Sequence, residues 1–425
     1  MSRSVAAAGA RPVLGATALC ATLILTACSG VPGNARLEPA EASGDGKLRV
    51  GLILDNDGDS AFLNAPQLAA ARLAVDEINA AGGHKGRPVE LLPAQPGQDT
   101  AAQAQALVTA NADVVVGPTD SSHAATAIDI LSRARTALVS PANTAAALST
   151  ADSGGYYFRT SAADVAQGSM LVKLAKDAGA ATLAVMHQEG AYGNDVAAAV
   201  VSSAEAAGLD VSASESFEPG AAADAAGAAG EAGADAVILV ARDGAQGALA
   251  ELNNAGVPGS KIILSDGAFA RYGSRLGTRA LDGARAVVAG QLPPAEFQAR
   301  LLSVDADLKD VSFAAETYDA VNLAALAAAR AQDDAGRSIA ANLIAVSGGS
   351  SDGAEGKEQV PACLSYKECL TGLAAGPDVN YDGVSGPIAF DARGDITTAD
   401  FTIFTYGADN NPTISGTETA GRAAE

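Results

Sequence analysis

VVVGPTDSSHAATAI (114–128) and ALVSPANTAAAL (137–148) decide how this chain folds. Each opens on an apolar run that reads as a buried strand and closes on hydroxyl or amide residues. Ser121 and Ser122 end the first; Ala142, Asn143 and Thr144 end the second. Ala-rich helical sequence follows both. Continuous apolar strands that alternate with helices indicate a parallel sheet covered on both faces. In such sheets ligands bind beyond the carboxyl ends of the strands. The N–H groups that open the following helix favour an anionic group there. Two such ends side by side predict a pocket for a small, partly negative solute.

The same alternation runs outward from these stretches. Strands are expected at 48–54, 89–92, 182–187, 235–240, 261–264 and 284–289, with later ones at 383–390 and 401–406. Helices are expected at 66–81, 100–110, 124–133, 165–178, 195–207, 246–255 and 314–331, and a less defined one at 220–233. Two βα series, split by a crossing segment at 157–160, mean two α/β lobes with parallel sheets rather than one very wide sheet. Residues 347–356 read as a Ser/Gly-rich loop and 412–425 as a polar, frayed end.

The 425 residues are 48% hydrophobic, which is globular composition, and carry a net charge of −22. That charge argues against nucleic acid and anionic membrane surfaces as partners. No Trp is present and aromatics are 4%, which disfavours a sugar site built from stacked rings.

Arg3 and Arg11 precede an apolar stretch at 13–26 that is short for a stable membrane span. It runs into Leu25-Thr26-Ala27-Cys28, which resembles a bacterial lipobox. Residues 1–27 are therefore expected to be a lipoprotein signal peptide, with Cys28 as the lipidated residue. An ordinary secretory signal is the simpler competitor. Residues 28–46 read as a lipid-anchored flexible tether. With Cys20 and Cys28 so assigned, Cys363 and Cys369 remain for an oxidising compartment, and a disulfide between them is expected. A metal site is the alternative.

Further residues complete a pattern. ARLAVDEINAAGGHKGRPVEL (71–91), VVVGPTDSS, VSPANT, YYFRT, AYGND, ETYDAVNLAA and GPIAFDARGD occur in that order between residues 48 and 406. Together they resemble type I periplasmic-binding proteins, in the branch that binds leucine, isoleucine, valine and related solutes. The resemblance implies two Rossmann-like lobes joined by three hinge crossings, with a ligand cleft between them. Lobe 1 would be 47–159 plus about 284–382, lobe 2 160–283 plus about 383–408, and 409–425 a tail.

It also implies an extracytoplasmic, lipid-anchored monomer without a cofactor, which hands an amino acid or amide to an ABC transporter permease. Ser121, Ser122, Ala142, Asn143 and Thr144 match the carboxylate-holding loops; the two serines could instead simply cap the helix. Tyr192 matches the aromatic of the second lobe, Asp266 the acceptor of the ligand ammonium, and Phe62 the covering aromatic. Arg242 and Asp243 stand where relatives tend to carry a Tyr. With the acidic loop DNDGDSAF (55–62), this departure points to a polar or cationic solute such as a basic amino acid, an amide or a polyamine.

Asp55, Asp57 and Asp59 copy the start of a calcium loop, but Ser60 and Pro66 stand where Gly and Glu are needed. The three histidines read as surface or loop residues and are not spaced as metal ligands. No P-loop, GxSxG or HExxH motif is present. A sensor of the same fold and a secreted hydrolase are the competing functions, the latter without a catalytic constellation.

Overall fold

A computed structural model describes residues 33–350 and 360–421. The expected signal peptide (1–27), Cys28 and most of the 347–356 loop lie outside the described residues.

The first series gives β1 (Arg49–Leu52), α1 (Asn64–Ala80), β2 (Glu90–Leu91), α2 (Thr100–Thr109), β3 (Val114–Val116), α3 (Ser121–Arg133), β4 (Ala137–Ser140) and β5 (Tyr157–Arg159). The five strands form one all-parallel sheet in the order β2-β1-β3-β4-β5. All of β3 and β4 is buried, which is why both read as unbroken apolar runs.

A crossing at residues 160–165 leads to α4 (Ala166–Asp177), β6 (Thr182–Gln188), α5 (Ala191–Ala207), β7 (Asp210–Phe217), α6 (Ala223–Glu231), β8 (Ala236–Val240), α7 (Ala245–Asn254), β9 (Ile262–Leu264) and β10 (Arg285–Ala289). The chain then returns to the first lobe. There α8 (Ala295–Val304), α9 (Ala314–Ala331), α10 (Gly336–Val346) and α11 (Tyr366–Ala375) share a core with α1. The short strands β11 (Ala362–Cys363) and β12 (Asn380–Tyr381) pair beside them, and a disulfide joins Cys363 to Cys369. A third crossing delivers β13 (Thr398–Tyr406) and β14 (Pro412–Gly421) to the second sheet, whose order is β14-β13-β10-β9-β8-β6-β7.

Several expectations need correction. The strand at 284–289 belongs to the second sheet, paired with β9 and β13, so the second crossing follows Ala289. The tail carries β14, antiparallel to β13; its residues read as polar because most of them face solvent. β7 escaped notice for the same reason: it is an edge strand whose exposed positions are Asp, Ser and Glu, with Phe217 alone buried. Residues 383–390 form turns with isolated bridges instead of a strand. His84 is a loop residue, in the turn between α1 and β2, but it is buried there instead of lying at the surface.

Residues 33–46 are seated on the first lobe instead of forming a free tether. Ala35 is buried in its core. Arg36 lies over the Phe158 ring and donates to Ala392 O and Ser153 Oγ. Farther on, Ser43 and Gly44 N–H donate to Asp333, and Gly46 and Lys47 N–H to Asp334. Backbone donors captured by carboxylates leave no mark on side-chain composition.

The crossings are fastened by Arg159, which ends β5 and is fully buried. Its Nε donates to Asp395 Oδ1 at 2.7 Å, on the third crossing. Its remaining nitrogens reach Asn143 O, Ala145 O and Ser149 Oγ. Removing one partner of such a pair strands a buried charge, at a cost of about 3–5 kcal/mol. Asp395→Ala should therefore lower stability by about that much in urea unfolding, with the native sheets retained in far-UV circular dichroism. A loss under about 1 kcal/mol would show that the pair does not fasten the crossings.

Candidate functional site

At the first lobe, α3 starts at Ser121, three residues before the expected boundary, because Asp120 is its cap: the Asp120 carboxylate accepts from Ser122 N–H at 2.8 Å. The serines therefore do not cap the helix. Ser122 is exposed beside Asp120. Ser121 Oγ instead accepts from Thr144 N–H at 3.1 Å and Ala145 N–H at 3.4 Å, so one hydroxyl joins the two strand-end loops. Ser140 does the same one step deeper, accepting from Ala142 and Asn143 N–H and donating to Pro118 O.

Asn143 is a correction. It is fully buried, its amide donating to Thr119 O and accepting from Tyr157 OH. It is a strut under the loop, without surface to offer a solute. Ala142 is buried too. Phe62 is about half exposed, at 54%, on a short 3-10 helix (Gly58–Leu63) after β1.

On the second lobe, Tyr192 opens α5 directly after the β6 turn. Gly193 permits that turn, since a Cβ there would come 1.8 Å from Gln188 O. The Tyr192 hydroxyl donates to Asp266 Oδ1 at 2.5 Å, accepts from Gly267 N–H and lies 3.0 Å from Ser265 Oγ. Burial, reinforced by the Asp266 carboxylate, holds the phenol far above its ordinary range, so it stays a donor. Asp266 N–H is held by Gln167 Oε1.

Arg242 stacks over the Tyr192 ring, its guanidinium carbon 4.0 Å from the centroid, and pairs with both oxygens of Asp164 at 3.2 Å. Gly267 gives it room: a Cβ there would meet Arg242 Cγ at 2.6 Å and Ala241 O at 2.7 Å. Asp243 lies on the exposed side of the same turn; its N–H and that of Arg242 both donate to Gln188 Oε1.

Asp164 joins the lobes. It sits in the first crossing, its N–H donates to Thr144 O at 2.7 Å, and its carboxylate also contacts the Thr144 hydroxyl. A continuous chain thus runs from Ser121 through Thr144, Asp164, Arg242 and Tyr192 to Asp266. Burial pushes the Asp164 carboxyl up to about 6, Arg242 pulls it back, and Asp266 adds to the rise. Burial also pushes Asp120 up, but the Ser122 N–H and hydroxyl, with His123 and Arg242, hold it below the usual carboxylate range. Asp120, Asp164, Gln167, Gln188 and Ser140 carry no motif of their own, and sequence reasoning missed them.

A cavity of about 800 Å³, lined by Phe269 three residues after Asp266, opens where the second crossing, the start of α9 and the β13–β14 pair meet. Glu316 and Phe313 face it from the first lobe, Phe269 and Phe404 from the second. Phe313 is held in the left-handed region at φ 58°, a conformation that costs a bulky residue of order 1–3 kcal/mol. Burial raises Glu316 to about 7; its own N–H offsets this slightly and Asp319 adds to it.

Nearby, Asp55 turns inward to Thr100 and His123, away from any calcium-loop arrangement. Among the described residues no group of three His, Cys, Asp or Glu is placed to hold a metal ion, and no helix is long and apolar enough to cross a membrane.

The periplasmic binding protein family matches residues 47–411. The chain belongs to that family. A leucine-, isoleucine-, valine-, threonine- and alanine-binding protein of Pseudomonas aeruginosa is 30% identical over 179 residues, which is 41% of this chain and 47% of that protein. The alignment thus spans about half the length of that curated relative. Among solved structures, one from Rhodospirillum rubrum assigned to a branched-chain amino acid ABC transporter superposes with a TM-score of 0.65 at 23% identity, covering 86% of this chain and 99% of that one. A Streptococcus pneumoniae branched-chain amino acid transporter substrate-binding protein in complex with isoleucine gives 0.58 at 20% identity, covering 88% and 99%. An R. palustris solute-binding protein in complex with benzoate gives 0.56 at 19%, covering 89% and 98%. These structures share the two-lobed fold.

A pH dependence follows. Asp164, Glu316 and Asp113, which burial also raises to about 7, hold protons more tightly folded than unfolded. Their contribution is complete below about pH 4 and is lost as pH rises through about 6 to 7. Carboxylates held low, such as Asp120 and Asp333, act only below that window. Buried His84, lowered by burial, opposes below its ordinary value, one group against five carboxyls, since burial raises Asp319 and Asp382 as well. The urea midpoint should therefore fall between pH 5 and pH 8, and Asp113→Asn should flatten part of the fall. A midpoint that rises across this range would refute the assignment.

Proposed function

We propose that this protein is the substrate-binding component of an ABC importer, capturing an amino-acid-like solute between its lobes and delivering it to the permease. One observation carries the reading. The strand ends of the two sheets are linked by a chain of polar groups whose two ends present unlike chemistry, the Ser121 hydroxyl on one side and the Asp266 carboxylate on the other. A solute bearing a carboxylate or carbonyl and an ammonium fits those ends. Family membership and the relatives' solutes, aliphatic amino acids and benzoate, support the class.

In this reading the Ser121 hydroxyl receives the carboxylate, and Thr144 holds that hydroxyl in place, its own N–H and hydroxyl being taken up by Ser121 and Asp164. Asp266 receives the ammonium through the oxygen that Tyr192 does not use. Arg242 and Asp243 stand at the mouth of the second lobe, Ser122 and Phe62 at the rim of the first. Lobe 1 is then 33–159 plus about 294–382, and lobe 2 about 166–289 plus 398–421. The N-terminal segment holds the protein at the extracytoplasmic face through a lipid on Cys28, and the monomer acts without a cofactor.

The test is a thermal-shift panel of amino acids, amides, aromatic acids and polyamines on the protein from residue 29 onward. A genuine ligand at 100-fold excess over its Kd should add about 2.7 kcal/mol. Asp266→Ala should then weaken binding of an amino acid at least tenfold by calorimetry without changing the apo melting temperature. A flat response across the panel would overturn the solute-binding reading, and an unchanged Kd would remove Asp266 from the site.

A further inference from the structure

Glu316 is a carboxylate that the solute-binding chain does not use. It stands in the first turn of α9, where the helix enters the wall of the 800 Å³ cavity. The wall is largely apolar: Phe269 and Phe404 lie tilted with centroids 4.4 Å apart, and Leu292 and Phe313 add to it, with Gln291, Ser312, Thr402 and Thr413 as its polar members and Arg271 as its cation. Among the described residues no hydrogen bond or ion pair from another residue reaches its carboxylate. Its backbone is fixed, because Glu316 O accepts from Thr160 Oγ1 at 3.0 Å on the first crossing. Its side chain comes up to the second crossing, with Oε1 3.6 Å from where a Cβ of Gly290 would stand. Gly290, at φ 85°, keeps that space open.

A carboxylate placed among phenyl rings without a counter-charge is costly unless something fills the site. Burial is what drives Glu316 toward its protonated form, and Asp319, one turn on, pushes the same way. Arg271 opens onto the cavity but is not among the groups that act on Glu316. The missing partner is therefore a cation brought in from solution. The rings and Leu292 ask that it arrive on an apolar body, and aromatic faces themselves attract a cation.

We infer that Glu316 is a specificity-determining residue of the cleft: the cavity takes the apolar chain of the solute, and Glu316 receives a protonated amine at its end. This rests on the solute-binding reading and deepens it. The solute class is an amino acid whose side chain is an apolar spacer ending in an ammonium. Asp266 serves the α-ammonium and Glu316 the distal one. A purely aliphatic side chain would set an apolar chain against the half-buried Glu316 carboxylate without giving it a partner, so it is selected against.

The experiment compares matched pairs by calorimetry: lysine against norleucine, and 4-aminomethylphenylalanine against phenylalanine, with isoleucine and benzoate as controls. Wild-type protein should bind the amine of at least one pair ten times tighter or more than its neutral counterpart. Glu316→Gln should bring that ratio close to one while leaving the Kd of the neutral member unchanged. Glu316→Asp, which keeps the charge, should retain part of the preference. Unchanged melting temperature and circular dichroism certify that the variants are folded.

The inference is overturned by a wild-type preference for the neutral members, by a preference that survives Glu316→Gln, or by binding of isoleucine or benzoate with no amine bound at all. In that last case the solute-binding reading stands. Binding of none of the six compounds, with a flat response across the wider panel, overturns that reading and this inference with it.

Discussion

The first-lobe loop of the candidate site hangs on a cation with no access to water. Arg159 is fully buried, yet its guanidinium holds the 143–149 loop by two carbonyls and a hydroxyl and reaches Asp395 on the third crossing. Burying an arginine is unfavourable unless nearly every donor is used. Here Nε and both terminal nitrogens are engaged, so the geometry of loop and crossing is specified together. The seated N-terminal segment adds to the same knot: Arg36 reaches Ala392 O, three residues from Asp395. Two of the three crossings are thereby tied to one strand end. The second crossing is held differently, by hydrogen bonds of Gly290 and Gln291 to Asp400 and Thr402 at the start of β13, and its Gly290 lines the 800 Å³ cavity.

What was legible in the sequence follows from burial. β3, β4 and β8 are covered on both faces, so their apolar runs announced a parallel sheet without ambiguity. The edge strands β7 and β14 are exposed along most of their length, and their Ser, Thr and Glu residues read as linker or tail. The seated 33–46 segment was illegible for a different reason. Its attachment is backbone N–H to Asp333 and Asp334, two carboxylates nearly three hundred residues away.

The same division holds at the candidate site. Tyr192, Asp266, Ser121 and Thr144 could be picked out because they match family motifs, and the structure connects them through a single chain of contacts. The residues that complete the chain could not. Asp164 matters because it sits where β5 leaves the first lobe, so that one carboxylate meets Thr144 and Arg242 together. Asn143 misled for the converse reason: an amide at a strand end is as suited to bracing a loop as to meeting a solute, and Tyr157 and Thr119 claim both its ends. Arg242 was noticed as a departure from relatives. In the structure its guanidinium stacks on the Tyr192 ring and pairs with Asp164.

The anion pocket expected at the two strand ends is also of a different kind from the one that strand-end geometry suggests. Open N–H groups are not what the loop presents. Ser140 accepts two of them and Ser121 the next two, so residues 142–145 have no unused donor in the backbone. The two hydroxyls then differ in one respect. Ser140 gives its own proton to Pro118 O, which closes its account internally. For the Ser121 proton no acceptor appears among the described residues. A hydroxyl that accepts two N–H bonds is polarised and becomes a stronger donor, because bonds in such a chain reinforce one another. In the proposed site the loop dipoles therefore reach a solute carboxylate through Ser121 rather than beside it, and this one hydroxyl concentrates what the fold elsewhere delivers through several backbone amides.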